Sequence, residues 1–119
     1  MTWTLRQWLE LMCFPFAIAA GQILFKRAAG QLTPGADSWL LALARLPTMW
    51  VAVALYAGAT LLWVRILTTI PLSRAYPFVA LAFVLVPAAG YLFFDEPINA
   101  KYALGTALIV VGVIVAARA

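Results

Sequence analysis

Histidine is missing from this chain of 119 residues, and cysteine occurs once, as Cys13. Without histidine, and without Cys, Asp or Glu clustered at ligand spacing, a zinc or haem site has nothing to be built from. A lone cysteine permits no internal disulfide; within an apolar run it reads as small filler. Charge is also scarce, at 10% of residues: eight basic, four acidic, net +4. The basic residues are scattered rather than gathered into a patch with interleaved aromatics, so nothing points to nucleic acid. There is no nucleophile–base pair and no glycine-rich phosphate cradle. Enzymatic chemistry has no residues to carry it, and no cofactor is implied.

What the chain does have is apolar length. Hydrophobic residues make up 66% of it, far more than a soluble domain carries. A membrane helix needs about 20 apolar residues, and the sequence offers four such runs: 9–25, 48–67, 72–94 and 101–117. The expectation is an all-α, polytopic membrane protein, with residues 1–119 forming one four-helix transmembrane domain. The first run has Glu10 near its start and is followed by Lys26-Arg27 rather than a small-residue cleavage site, so it reads as a retained span and not a signal peptide. Pro15, Pro77 and Pro87 fall within spans, where neighbouring helices can re-satisfy the freed backbone. Gly30, Pro34, Gly35 and Asp37 mark a loop. The apolar segment at 38–46 is too short to cross, which predicts an amphipathic piece at the interface. Asn99 is placed to cap the last helix, and Trp3, Arg6 and Trp8 suit headgroup depth.

The last two connections are a handful of residues each, so spans two to four are antiparallel neighbours. An even number of spans puts both termini on one side. That side carries Arg6, Arg65, Arg74 and Arg118; the other carries Lys26, Arg27, Arg45 and Lys101. With four against four, the positive-inside rule does not choose an orientation.

Few residues within the spans can carry chemistry. Arg74 lies in the first turn of span three, where a charge is expected to face a cavity or reach the interface. Arg65, near the end of span two, lies on the same side. Two guanidiniums converging on one vestibule would suit a phosphate, because the planar fork binds it bidentately; snorkelling to lipid headgroups is the plainer use of each. Gln22 and Lys26 are spaced i, i+4 and share one face of helix one, with Ile18 a turn earlier. Gln22 can bond a neighbouring helix or a polar cargo. Tyr56, Trp63 and Tyr76 can line a cavity or serve as packing. Glu10 is the one carboxylate within a span available for proton coupling, and Arg6 lies at i−4 from it. Asp95-Glu96 reads as a solvated turn. Gly105 and Gly112, seven apart on one face of helix four, allow close helix approach, within the protomer or across a dimer seam.

The whole chain resembles the drug/metabolite transporter superfamily in its smallest, four-helix form, which implies an SMR-like, EamA-related bundle working as a dimer. The likeness is carried by Ala19-Ala20-Gly21-Gln22-Ile23-Leu24-Phe25-Lys26-Arg27-Ala28 and by Ile70-Pro71-Leu72-Ser73-Arg74-Ala75-Tyr76-Pro77, continuing to Asp95-Glu96-Pro97 and the Gly105/Gly112 helix. Within the superfamily it is more similar to ArnE/ArnF-type flippase subunits than to the small multidrug resistance exporters. Aligned on Gly21 and Lys26, the exporters' essential glutamate falls at Ile18, which speaks against proton/drug antiport. Their chamber tyrosine matches Tyr76. The resemblance implies a subunit of the bacterial inner membrane that moves an undecaprenyl-phosphate-linked sugar or another anionic amphiphile. Arg74, Arg65 and Lys26 would then attract phosphate, Gln22 and Tyr76 would contact the sugar, and the partner would be a second copy or a homologous four-helix subunit. A proton-coupled exporter relying on Glu10, or a non-transporting scaffold for a glycosyltransferase, stays open at this point.

Overall fold

A computed structural model describes residues 3–35 and 37–119. Among the described residues every regular element is a helix: α1 Leu5–Gly30, α2 Trp39–Ala44, α3 Pro47–Leu67, α4 Leu72–Val79, α5 Ala82–Phe94 and α6 Ala100–Arg118. Four helical paths are long and apolar enough to cross a membrane, namely Leu5–Gly30, Pro47–Leu67, Leu72–Phe94 and Ala100–Arg118. The protein is an all-α, multi-pass membrane protein.

Each helix starts where local chemistry lets it. The Thr4 hydroxyl accepts from the Gln7 N–H while the Gln7 side chain accepts from the Thr4 N–H, a reciprocal cap that starts α1 at Leu5. Helix α1 is therefore longer at both ends than its apolar run; at about 1.5 Å per residue it spans about 39 Å, beyond the ~30 Å hydrocarbon layer. Pro47 occupies the first turn of α3, where its missing N–H costs nothing. Asn99 caps α6, its Oδ1 accepting from the Tyr102 N–H at 2.8 Å.

Span three is not one rod. It bends between α4 and α5 at Ala80–Leu81, where the bonds tighten to an i→i−3 pattern: Ala80 N–H to Pro77 O at 3.2 Å and Phe83 N–H to Ala80 O at 2.9 Å. Pro77 and Pro87 bracket the bend, and each lacks the N–H that an unbroken helix requires.

The protomer's core lies between α1 and α3. Leu11, Phe14, Ala59, Ile66, Ile70 and Ala75 are buried together, and Phe14 stacks on Trp63 at 4.8 Å. Small residues bring the two helices close: Ala52 and Ala59 are buried, and Gly21 sits directly under the Tyr56 ring, which a Cβ there would strike. This is how membrane helices associate without a hydrophobic drive. Helix α6 differs: it touches α4 and α5 and buries no residue. The bundle is flat, 51 × 36 × 21 Å. Its short dimension is about two helix diameters, too thin to enclose a path for a solute.

Candidate functional site

The polar side chains gather at the two ends of α1. Toward its C-terminal end, Lys26 Nζ lies 3.6 Å from Glu96 Oε2. Glu96 is delivered by the end of α5. Asp95 takes a left-handed conformation, φ 53° and ψ 30°, which reverses the chain. The Glu96 N–H then donates back to the Gly90 carbonyl at 3.2 Å, a familiar helix ending. Gly90 leaves room for the Glu96 carboxylate, which a Cβ would meet. One turn below Lys26, Gln22 Nε2 donates to the Tyr56 hydroxyl, whose ring also tilts onto Phe25 at 5.0 Å.

Gln22, Lys26 and Glu96 line a cleft of about 190 Å³ between α1 and α5, whose apolar wall is Val86, Ala89 and Phe94. Beside it, sharing Gln22 and Val86, lies a groove of about 340 Å³ lined by Ile18, Val79, Ala82, Phe83, Pro87 and Tyr102. Together they form an open channel that is polar at one end and apolar along its length. Lys26 and Glu96 are each about half exposed, 56% and 51%. Such a pair is worth roughly 0–1 kcal/mol, so an incoming charged group can take either partner at little cost.

At the other end of α1, Glu10 bonds two arginines. Its Oε1 lies 3.0 Å from Arg6 Nε and 3.4 Å from Arg65 Nε. Arg74 stands apart. Its Nη1 donates to the Ala117 carbonyl at 3.4 Å, at the C-terminal end of α6, where a cation is favoured by the exposed carbonyls. Nearby, Trp3, Trp8 and Phe78 form an aromatic cluster with centroids 5.0–5.7 Å apart, Trp8 edge to face with both others.

The residues singled out from sequence are thus divided. Gln22 and Lys26 come together as their spacing requires. Arg65 and Arg74 do not converge on one vestibule: they line separate clefts with no lining residue in common. Between them the chain is anchored by the buried side chains of Ile70 and Ala75; Arg65 pairs with Glu10 of α1 and Arg74 with the Ala117 carbonyl of α6. Tyr76 is 62% exposed, edge-on to Trp63 at 6.3 Å, and is not among the groove's lining residues. Gly105 and Gly112 have open space where a Cβ would be, so they serve no packing within the protomer. Glu96, expected as part of a solvated turn, is the counter-ion of Lys26. The available signal was the glycine at 90 together with an acid just past the span, on the same side of the membrane as Lys26. Among the described residues no group of three or more His, Cys, Asp or Glu could hold a metal ion.

No family model matches the chain, and no solved structure does. Curated proteins do. The chain is 34% identical over 96 residues to the 4-amino-4-deoxy-L-arabinose-phosphoundecaprenol flippase subunit ArnE of Hamiltonella defensa, covering 77% of this chain and 86% of that one. It is 34% identical over 110 residues to the ArnE subunit of Klebsiella pneumoniae, covering 91% and 93%. With the ArnF subunit of Pseudomonas fluorescens it shares 36% identity over 107 residues, covering 82% and 78%.

Proposed function

The chain belongs to the family of ArnE/ArnF-type flippase subunits, and on that premise we propose that it translocates an undecaprenyl-phosphate-linked aminosugar as half of a dimeric carrier in the bacterial inner membrane. Its relatives are transporters, not enzymes, and its four apolar helices suit a multi-pass inner-membrane protein.

The observation that carries this reading is the two-part channel beside α1. An amphiphile of this class has a charged, hydroxylated head and a long hydrocarbon tail. The cleft offers Lys26 to the phosphate, Gln22 to the sugar hydroxyls and Glu96 to an amine. The adjoining groove offers Ile18, Val79 and Phe83 to the first units of the tail. Ile18 fits this division, since a carboxylate at that depth would face the tail. The channel is open along one side, so the remaining hydrocarbon can stay in the bilayer while the head moves.

A slab 21 Å thick needs a second protomer to shield the head at mid-membrane. The Gly105/Gly112 face of α6 is our candidate for the seam, and Tyr76, uncovered in the protomer, joins the chamber when a second chain closes over it. The second chain is a copy of this one or a homologous four-helix subunit. Rocking of one protomer against the other gives alternating access.

The test is translocation of labelled aminosugar-phosphoundecaprenol in proteoliposomes, with this chain alone and with a homologous subunit. We expect head-group crossing in one of the two preparations, and a loss of roughly tenfold in rate for Lys26→Ala, the worth of one charge-assisted hydrogen bond. Absence of crossing in both preparations overturns the proposal.

A further inference from the structure

The cleft at the N-terminal end of α1 plays no part in the groove. It has a volume of about 400 Å³ and is lined by Arg6, Glu10 and Arg65, with Thr4, Thr68 and Thr69 also on its wall. Both arginines reach the same carboxylate oxygen through Nε. Among the described residues the four terminal guanidinium nitrogens of Arg6 and Arg65 make no hydrogen bond. The cluster therefore holds two positive charges against one negative, with donors to spare. Its arginines are exposed, 65% and 56%, whereas Glu10 is sheltered at 17%.

We infer that this cleft is a phosphate-binding station in which Glu10 is the resident anion. Two guanidiniums that meet one carboxylate oxygen through Nε alone keep their terminal donors for a tetrahedral oxyanion, which offers more acceptors than that single oxygen. Position along α1 supports it. Glu10 and Lys26 are sixteen residues apart, about 24 Å along a helix, close to the hydrocarbon thickness of ~30 Å. Ile18 lies midway. Each end of α1 thus carries a cation–carboxylate cluster near headgroup depth, and an arriving phosphate exchanges with the carboxylate at either one. The inference rests on the Arg6–Glu10–Arg65 geometry and does not require the groove.

Binding of inorganic phosphate and of undecaprenyl phosphate to the full chain in maltoside micelles tests it, read by calorimetry. Every sample carries Lys26→Ala, so that the groove's own phosphate-attracting cation is absent from every comparison. Arg65→Gln is expected to weaken phosphate binding by roughly tenfold, one charge-assisted contact, with Arg65→Lys falling between. Glu10→Gln is expected to tighten binding severalfold, because it removes the competing anion. A triad serving only to tie α1 to α3 predicts the opposite sign or no change. Phosphate affinity that is unchanged or weaker in Glu10→Gln, or indifferent to Arg65→Gln, overturns the inference. If undecaprenyl phosphate binds and inorganic phosphate does not compete, the ligand is a lipid headgroup; equal affinities identify free phosphate. A melting curve on each variant separates lost binding from lost fold. Translocation that fails while Arg65-dependent binding persists sinks the groove reading and leaves this one standing.

Discussion

Helices α1 and α6 are both apolar membrane spans with a glycine in mid-span, yet the protomer uses them in opposite ways. The mid-span glycine of α1 is used internally: Gly21 admits the Tyr56 ring, and Ala52 and Ala59 close the same contact from α3. Those of α6 meet nothing, and no α6 residue is buried. Membrane helices are drawn together by close packing and not by escape from water. A small residue therefore marks an interface only where something fills the space it leaves. The α1–α3 pair is the protomer's own core, while α6 offers its small-residue face outward.

The sharpest way to break this comparison is to enlarge both kinds of glycine. Gly21→Val forces the Tyr56 ring aside and takes Gln22's hydrogen-bond acceptor with it. We expect a loss of about 1–3 kcal/mol, typical of overpacking, seen as a lower melting temperature in detergent. Gly105→Val in α6 leaves that temperature unchanged, since its Cβ enters open space, and instead lowers the fraction of dimer in cross-linking or sedimentation. If Gly105→Val destabilises the isolated protomer, or leaves dimerisation intact, the assignment of α6 to the seam is wrong.

A smaller effect is expected at the mouth of the channel. Gly90→Ala places a methyl against the Glu96 carboxylate, but that group ends a flexible side chain and can move. Gly90 is buried within α5, but alanine is favoured over glycine in a helix interior by up to about 1 kcal/mol, which offsets the displaced carboxylate, so the net change in stability is expected to be small. What changes is the distance from Glu96 to Lys26. Translocation rate should shift severalfold with no change in melting temperature, which a purely structural role for Gly90 does not produce.

The difference between the two helices was only partly legible in the sequence. The number of spans followed from apolar length alone, and the Asn99 cap of α6 from residue type. The Gln22–Lys26 face followed from helical spacing. The partners of those side chains did not. Glu96 is seventy residues from Lys26, and Arg65 is fifty-five from Glu10; which helix faces meet is decided by fit between α1 and α3. A soluble helix advertises its inner face by an apolar stripe. These spans are apolar all round, so that cue is erased. The separation of Arg65 from Arg74 was hidden for a related reason: eight intervening residues give the distance along the chain but not the direction in which the turn sends each side chain. Likewise, two prolines announce a disturbed helix without fixing the bend at Ala80–Leu81.

The Asp95 turn tests how firmly the channel mouth is held. Asp95 is the single non-glycine residue among those described with positive φ. A side chain in that conformation costs roughly 1–2 kcal/mol relative to the right-handed region, less for Asp than for most residues. Asp95→Gly removes the strain but adds freedom to the unfolded chain, so the net gain is a few tenths of a kcal/mol at most. Asp95→Val adds strain that a branched side chain cannot relieve and should cost about 1 kcal/mol or more. The pair is informative because Asp95 starts the turn that brings Glu96 back over Gly90. If that turn sets the Lys26–Glu96 contact, Asp95→Val slows translocation further than its melting temperature explains, while Asp95→Gly leaves the rate alone. Equal rates in the two variants would mean that Glu96 finds Lys26 through its own side-chain freedom, and that the left-handed turn ends α5 without aiming the Glu96 carboxylate.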